Sequence, residues 1–132
     1  MGYREIEHTA DWTLEVWAGN LAELFSEAAR GMYALSGVRL AEGGRSERLV
    51  SLRGDDLESL LVTFLTELLF IGEQEKTAFD RFDLDVDGGA LEGTLGGAPI
   101  AGQSKEIKAV TFYNLHIDHD PHGYRTRVTF DV

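Results

Sequence analysis

"DLESLLVTFLTELLFIG", Asp56 to Gly72, decides what kind of fold this chain can adopt. Leu57, Leu60, Leu61, Phe64, Leu65 and Leu68 recur at three- and four-residue intervals, which places them on one broad stripe of an α-helix. A strand would need strict alternation, and the stretch has none. Asp55 or Asp56, just after Gly54, supplies the oxygen that caps the first free amides of such a helix. The second half is apolar almost all round, so this helix is expected at the centre of the core, with other layers covering more than one of its sides.

The neighbouring segments supply those layers. Upstream, "NLAELFSEAARGMYAL" (Asn20–Leu35) has Leu21, Leu24, Phe25, Ala28 and Met32 at helical spacing, with Asn20 as N-cap and Glu23 in the reciprocal capping position; Gly37 marks its end. Before it, "TLEVWAG" alternates Leu14, Val16 and Ala18 against Thr13, Glu15 and Trp17, as in a half-buried strand. The polar "AEGGRSE" reads as a loop and "RLVSLR" as a short strand. Beyond Gly72 and the charged "EQEK" come only strand-like segments. These are "FDRFDLDV", a "DGG" turn, "ALEGTL", a glycine-rich stretch holding Pro99, "EIKAVTFYNLHI", a "DHDPHG" turn and "YRTRVTFDV". The expectation is a single α+β domain over residues 1–132, with two main helices packed on a largely antiparallel β-sheet.

Composition narrows the function. With 132 residues, 43% of them hydrophobic, the chain can bury a core without covalent staples, and it has no cysteine to provide disulfides, thiolate metal sites or a thiol nucleophile. No apolar run approaches the roughly 20 residues needed to span a bilayer, and the charged start "MGYREIEHTADW" is no leader, so a cytoplasmic protein without membrane attachment is expected. Twelve basic against 23 acidic residues give a net charge of -11, which repels a phosphate backbone unless a local basic patch exists. A basic partner or a cation-binding face suits this balance better.

Three stretches imitate functional motifs. Asp83, Asp85, Asp87 and Gly88 match positions 1, 3, 5 and 6 of a calcium loop, but position 12 is Thr94 instead of the bidentate Glu. The same spacing follows from a strand whose Phe82, Leu84 and Val86 face a core, followed by an Asp-Gly-Gly hairpin turn. His116, His119 and His122 with Asp118 and Asp120 could bind a transition metal, although Pro121 and Gly123 favour an exposed turn. "GGAPIAGQSK" lacks the Gly-Lys-Ser/Thr ending of a phosphate loop, and no serine sits in a G-x-S-x-G elbow.

Four blocks carry a resemblance that covers the chain in order: "EHTADWTLEVWAGNLAELFSEAARGMYAL" (Glu7–Leu35), "GDDLESLLVTFLTELLF" (Gly54–Phe70), "EIKAVTFYNL" (Glu106–Leu115) and the final "FDV" (Phe130–Val132). Together they resemble the archease family. Trp12 and Trp17 are bulkier than usual there, and Phe112-Tyr113 stands in place of the more usual Tyr-His pair. The resemblance implies a protein that is no enzyme itself. It would be an accessory of the GTP-dependent tRNA-splicing RNA ligase, promoting guanylylation of the ligase's histidine and its multiple turnover, and reaching RNA only through the ligase. It further implies functional roles for Asp11, Lys108 and Asp131, and a divalent-metal site formed by Asp11, Asp131 and the terminal carboxylate of Val132, with calcium as the metal and Mg²⁺ or Mn²⁺ as alternatives. Hard oxygen donors of this kind are what Ca²⁺ and Mg²⁺ take, and a bound cation would relieve the repulsion between the adjacent charges of Asp131 and Val132. Two rivals are a metal-dependent phosphoester hydrolase using Asp11 and Asp131, and a chaperone-like module that binds unfolded chains.

Overall fold

The computed structural model describes residues 1–6 and 11–132. Nine strands and two helices run in the order β1 (Gly2–Ile6), β2 (Trp12–Ala18), α1 (Leu21–Ser36), β3 (Arg39–Leu40), β4 (Ser46–Arg53), α2 (Leu57–Glu75), β5 (Thr77–Asp87), β6 (Ala90–Gly102), β7 (Ala109–Thr111), β8 (Asp118–Asp120) and β9 (Gly123–Asp131). The α+β expectation holds, with one refinement. All pairings are antiparallel, but the strands divide into two sheets.

In the first sheet β9 is central. It pairs with β2 on one edge and with the short β7 and β8 on the other, while β1 lies outside β2. In the second, β6 pairs with β5, β4 and β3. The helices lie between the sheets: α1 packs on β1, β2 and β9 and also on β5, whereas α2 packs on β4, β5 and β6 and also on β7. This is why most apolar positions of the Asp56–Gly72 stretch are buried, although Phe70 stays exposed. Leu60, Leu61, Phe64, Leu65, Leu68 and Ile71 are buried, and Phe64 lies between Phe25 and Phe82, with ring centroids 6.0 and 6.5 Å away.

Local rules set the helix ends. The Asn20 side chain accepts from the Glu23 amide at 2.9 Å and Asp56 from the Ser59 amide at 2.7 Å, each satisfying a first-turn donor. α1 stops at Gly37, whose φ of 66° is left-handed and whose missing side chain leaves room for Ser104; a Cβ there would lie 2.6 Å from the serine hydroxyl. α2 continues past Gly72 to Glu75, because Ile71 is still buried and Lys76 takes the left-handed position, its amide bonding the Gly72 carbonyl.

Three segments differ from the sequence-based expectation. The glycine-rich stretch is the continuation of β6, and its glycines admit β5 closely: a Cβ on Gly97 would lie 2.0 Å from the Ala78 carbonyl oxygen, beside a register shift in β5. Within "EIKAVTFYNLHI" only Ala109–Thr111 is a strand; the chain then turns, Asn114 adopting φ 50°. β1 is an additional strand, in the charged N-terminal stretch. Among the described residues no helix is long and apolar enough to cross a membrane.

Candidate functional site

The end of the first sheet assembles residues from both ends of the chain. Trp12 pairs with Phe130 at the end of the β2–β9 ladder, so Asp11, in the bend just before β2, and Asp131, the last residue of β9, flank the same end of the sheet. On the other edge of β9, Ala109 pairs with Asp131 and the Lys108 amide donates to the Asp131 carbonyl at 2.8 Å. Asp131 therefore sits on the central strand with Asp11 on one side and Lys108 on the other. All three are exposed. Val132 instead turns its side chain onto the core, which anchors the last residue of the sequence beside Asp131.

Beneath this tip the face is lined by threonines. The Thr13 and Thr129 hydroxyls lie 3.3 Å apart, and Thr111 Oγ1 donates to the Thr129 carbonyl at 3.1 Å. Thr13 and Thr129 are buried, so the strands that carry the acids are tied together directly below them. Among the described residues, the side chains of Asp11 and Asp131 at this tip offer oxygen donors. A hard divalent cation fits such a donor set, whereas a soft metal would want nitrogen or sulfur. Among the described residues no three His, Asp or Glu side chains come together as a metal cluster. His8, Thr9 and Ala10 of the "HTAD" stretch lie outside the described residues.

The imitating motifs are spread apart. Asp83, Asp85 and Asp87 project from the exposed side of β5, and Gly88 with φ 61° makes the hairpin turn to β6. In the histidine-rich segment, the His119 ring stacks on Tyr124 at 4.1 Å and the Asp120 carboxylate accepts from the His122 amide at 2.7 Å, which is turn chemistry.

Two features escaped sequence reasoning. A groove of about 870 Å³ runs beside the C-terminal half of α2, and all three lysines of the chain, Lys76, Lys105 and Lys108, line it together with Leu69, Phe70 and Val110. Lys108 joins this groove to the tip. Tyr33 lies at its inner side, where burial pushes the phenol pKa up and the nearby Phe79 backbone offsets this only in part. The second feature is on the outer face of the first sheet, where Glu15 is 3% exposed and meets three arginines. Its signal was present as Glu15 in the polar phase of a strand, but its partners come from positions 4, 125 and 127, which only the strand register brings together.

Comparison with known proteins agrees with this architecture. Residues 3–132 match the Archease protein family. The chain is 32% identical to the protein archease of Archaeoglobus fulgidus over 137 residues, covering 100% of both chains. It is 33% identical to that of Methanothermobacter thermautotrophicus, covering 99% of each. Its fold superposes on a solution structure of Methanobacterium thermoautotrophicum protein 1598 with a TM-score of 0.72 and 28% identity, over 99% of both chains. A crystal structure from Thermotoga maritima, described as an archease and possible chaperone, shares the fold with a TM-score of 0.73 at 24% identity, over 98% of this chain and 96% of that one. The α+β fold is thus shared with these solved structures. The chain belongs to the archease family.

Proposed function

We propose that the protein is an accessory of a GTP-dependent tRNA-splicing RNA ligase, working in the cytoplasm, which it activates by presenting the Asp11/Asp131 tip to the ligase's active-site region. Family membership supports the partner. The observation that supports the reading is the end of the β2–β9 ladder, where exposed Asp131, its carbonyl bonded by the Lys108 amide, lies at the sheet end that Asp11 precedes. In this reading the protein catalyses nothing by itself: the tip has carboxylates and an ammonium, but no nucleophile held beside a base.

Asp11 and Asp131 would hold a divalent cation, calcium or in its place Mg²⁺ or Mn²⁺, and the carboxylate that Val132 carries when the chain ends there would be the third donor. Such an ion supplies charge neutralisation, which phosphoryl-type chemistry depends on. The rest falls to the side chains. The threonine-tied strands brace the sheet end below the acids. Lys108 offers a point positive charge to a phosphate or a ligase carboxylate. Phe112 and Tyr113, exposed just after β7, give apolar contact area next to the charged tip.

The test is guanylylation of the cognate ligase with GTP and a divalent metal, with and without this protein. Strong stimulation that depends on Asp11 and Asp131 supports the reading; phosphoester turnover by the isolated chain, abolished by Asp11→Asn, would replace it with the hydrolase.

A further inference from the structure

The outer face of the first sheet carries a charge arrangement that the tip does not use. Glu15, in the middle of β2, is flanked in register by Arg4 on β1 and Arg127 on β9. Arg4 Nη2 and Arg125 Nη1 each lie 3.1 Å from Glu15 Oε1, and Arg127 Nη2 lies 3.5 Å from Oε2. The carboxylate is 4% exposed, yet the three arginine side chains are 62–66% exposed. One buried carboxylate thus fixes three guanidinium groups without consuming them. Each guanidinium has five N–H donors and spends one here, leaving the others directed toward solvent. Three positive charges against one negative leave a local surplus of two, in a chain whose net charge is -11. Asp118, opposite Arg125 on β8, lowers the surplus at that edge, so the field is most positive around Arg4 and Arg127.

Beside the arginines stands Trp17, half-buried, with its indole lying across Gly2; a Cβ on Gly2 would come within 2.7 Å of the ring. A sheet surface that pairs fixed guanidinium forks with an aromatic ring suits phosphates and stacked bases together.

We propose that this face binds the phosphate backbone of a single nucleic-acid strand, with Arg4 and Arg127 on phosphates and Trp17 beneath a base. The basic patch that the overall charge made necessary is therefore present. A single strand fits better than a duplex, because a duplex is stiff over about 150 base pairs and carries one charge per roughly 1.7 Å, and so would be pressed against the acidic surroundings. An acidic peptide could meet the arginines but would have nothing to stack on Trp17. Along β2, Glu15 lies four residues from Asp11, about 13 Å at strand rise. The patch is thus separate from the tip, and the proposal does not depend on the ligase.

The experiment uses fluorescence anisotropy of a fluorescein-labelled oligouridylate with the full chain, at a series of salt concentrations. Binding is expected, with log K falling against log salt at a slope of about -1.4 for two phosphates of a single strand. Arg4→Gln/Arg127→Gln, which keeps Arg125 on the buried carboxylate, is expected to lower affinity at least tenfold at low salt and to flatten the slope. Glu15→Gln is expected to act in the opposite direction, tightening binding several-fold by removing the neutralising charge. A purely structural network would give no such reversal, and thermal unfolding of each variant verifies that it is folded. No binding by the wild type, equal binding by the arginine variant, or tight binding of a polyglutamate peptide with no oligouridylate binding would each overturn the proposal.

Discussion

Two regions of this molecule put aspartates on antiparallel strands, and they differ in what the strands do with them. On the β5–β6 hairpin, Asp83, Asp85 and Asp87 follow one another on one strand, neighbours two residues apart and so about 7 Å along it. Asp85 does face an acid, Glu92 on β6, but Asp83 and Asp87 face Thr94 and Ala90. At the tip, Asp11 and Asp131 come from opposite ends of the sequence and flank one end of the β2–β9 ladder, with the Lys108 amide bonded to the Asp131 carbonyl. The hairpin looks more like a metal site in sequence. In the proposed reading the tip is the better arrangement, because donors brought from two strand ends can converge on one point while donors along one face of a strand diverge.

The largest effect that would break this comparison is expected from Asp131→Asn. The substitution keeps shape and removes one charge from an exposed strand end, so unfolding by urea should shift little. Stimulation of ligase guanylylation is expected to fall at least about tenfold, since even outer-shell partners of metal ligands are worth that much. Asp11→Asn should match it. Normal stimulation by both variants would remove the tip from function.

A smaller, several-fold loss is expected when neutral residues are added after Val132. The terminal carboxylate then becomes a peptide carbonyl, which can still coordinate a hard cation but brings no charge. Calcium titration by calorimetry should show weaker binding, with the Val132 side chain still seated on the core. An extended chain that binds and stimulates like the original would leave Asp11 and Asp131 as the whole donor set.

How far the sequence revealed these regions follows from the range over which each one is encoded. Both helices were legible because apolar spacing and caps are local: Asn20, Asp56 and Gly37 do what their chemistry prescribes. The course of β6 was not, because Gly96 and Gly97 read as loop residues until β5 is seen pressing against them. The turn at Asn114 was hidden for the converse reason, since "TFYNL" has strand-like side chains while the backbone leaves the sheet. The tip was accessible only through resemblance: no spacing rule connects Asp11 with Asp131. The Glu15 network was invisible on the same ground, its partners lying 11, 110 and 112 residues away.

Carboxylates that have a partner are expected to behave differently from those that do not, and Asp80 on β5 provides the contrast. Arg45 holds it at 2.7 and 3.1 Å, and this hydrogen bonding lowers the Asp80 pKa below the usual carboxylate value. A lowered folded-state pKa stabilises at pH values above the unfolded pKa and is lost as pH falls through the folded one. Urea unfolding of Asp80→Asn should therefore show a small deficit at neutral pH that disappears in acid. The deficit is small because both side chains are about half exposed. A deficit that persists unchanged at low pH would mean that the pair acts through packing.

The smallest effect should come from Asp85→Asn, and it should have the opposite sign. Asp85 and Glu92 are directly opposed across β5 and β6, both exposed, with no arginine or lysine hydrogen-bonded to either among the described residues. Like charges facing each other across a sheet destabilise it by about 0.2–1 kcal/mol. Removing one of them should raise stability by that amount at neutral pH. Added salt should shrink the gain, because screening over a Debye length of about 8 Å already weakens such a repulsion at physiological ionic strength. Ligase stimulation should be unchanged, as with Asp83→Asn and Asp87→Asn. If Asp85→Asn instead loses stimulation as fully as Asp131→Asn, the functional carboxylates belong to the hairpin. If it loses stability, the Asp85–Glu92 pair must be sharing a cation, and the distinction drawn between converging and diverging donors would fail at the one place where the hairpin opposes two acids.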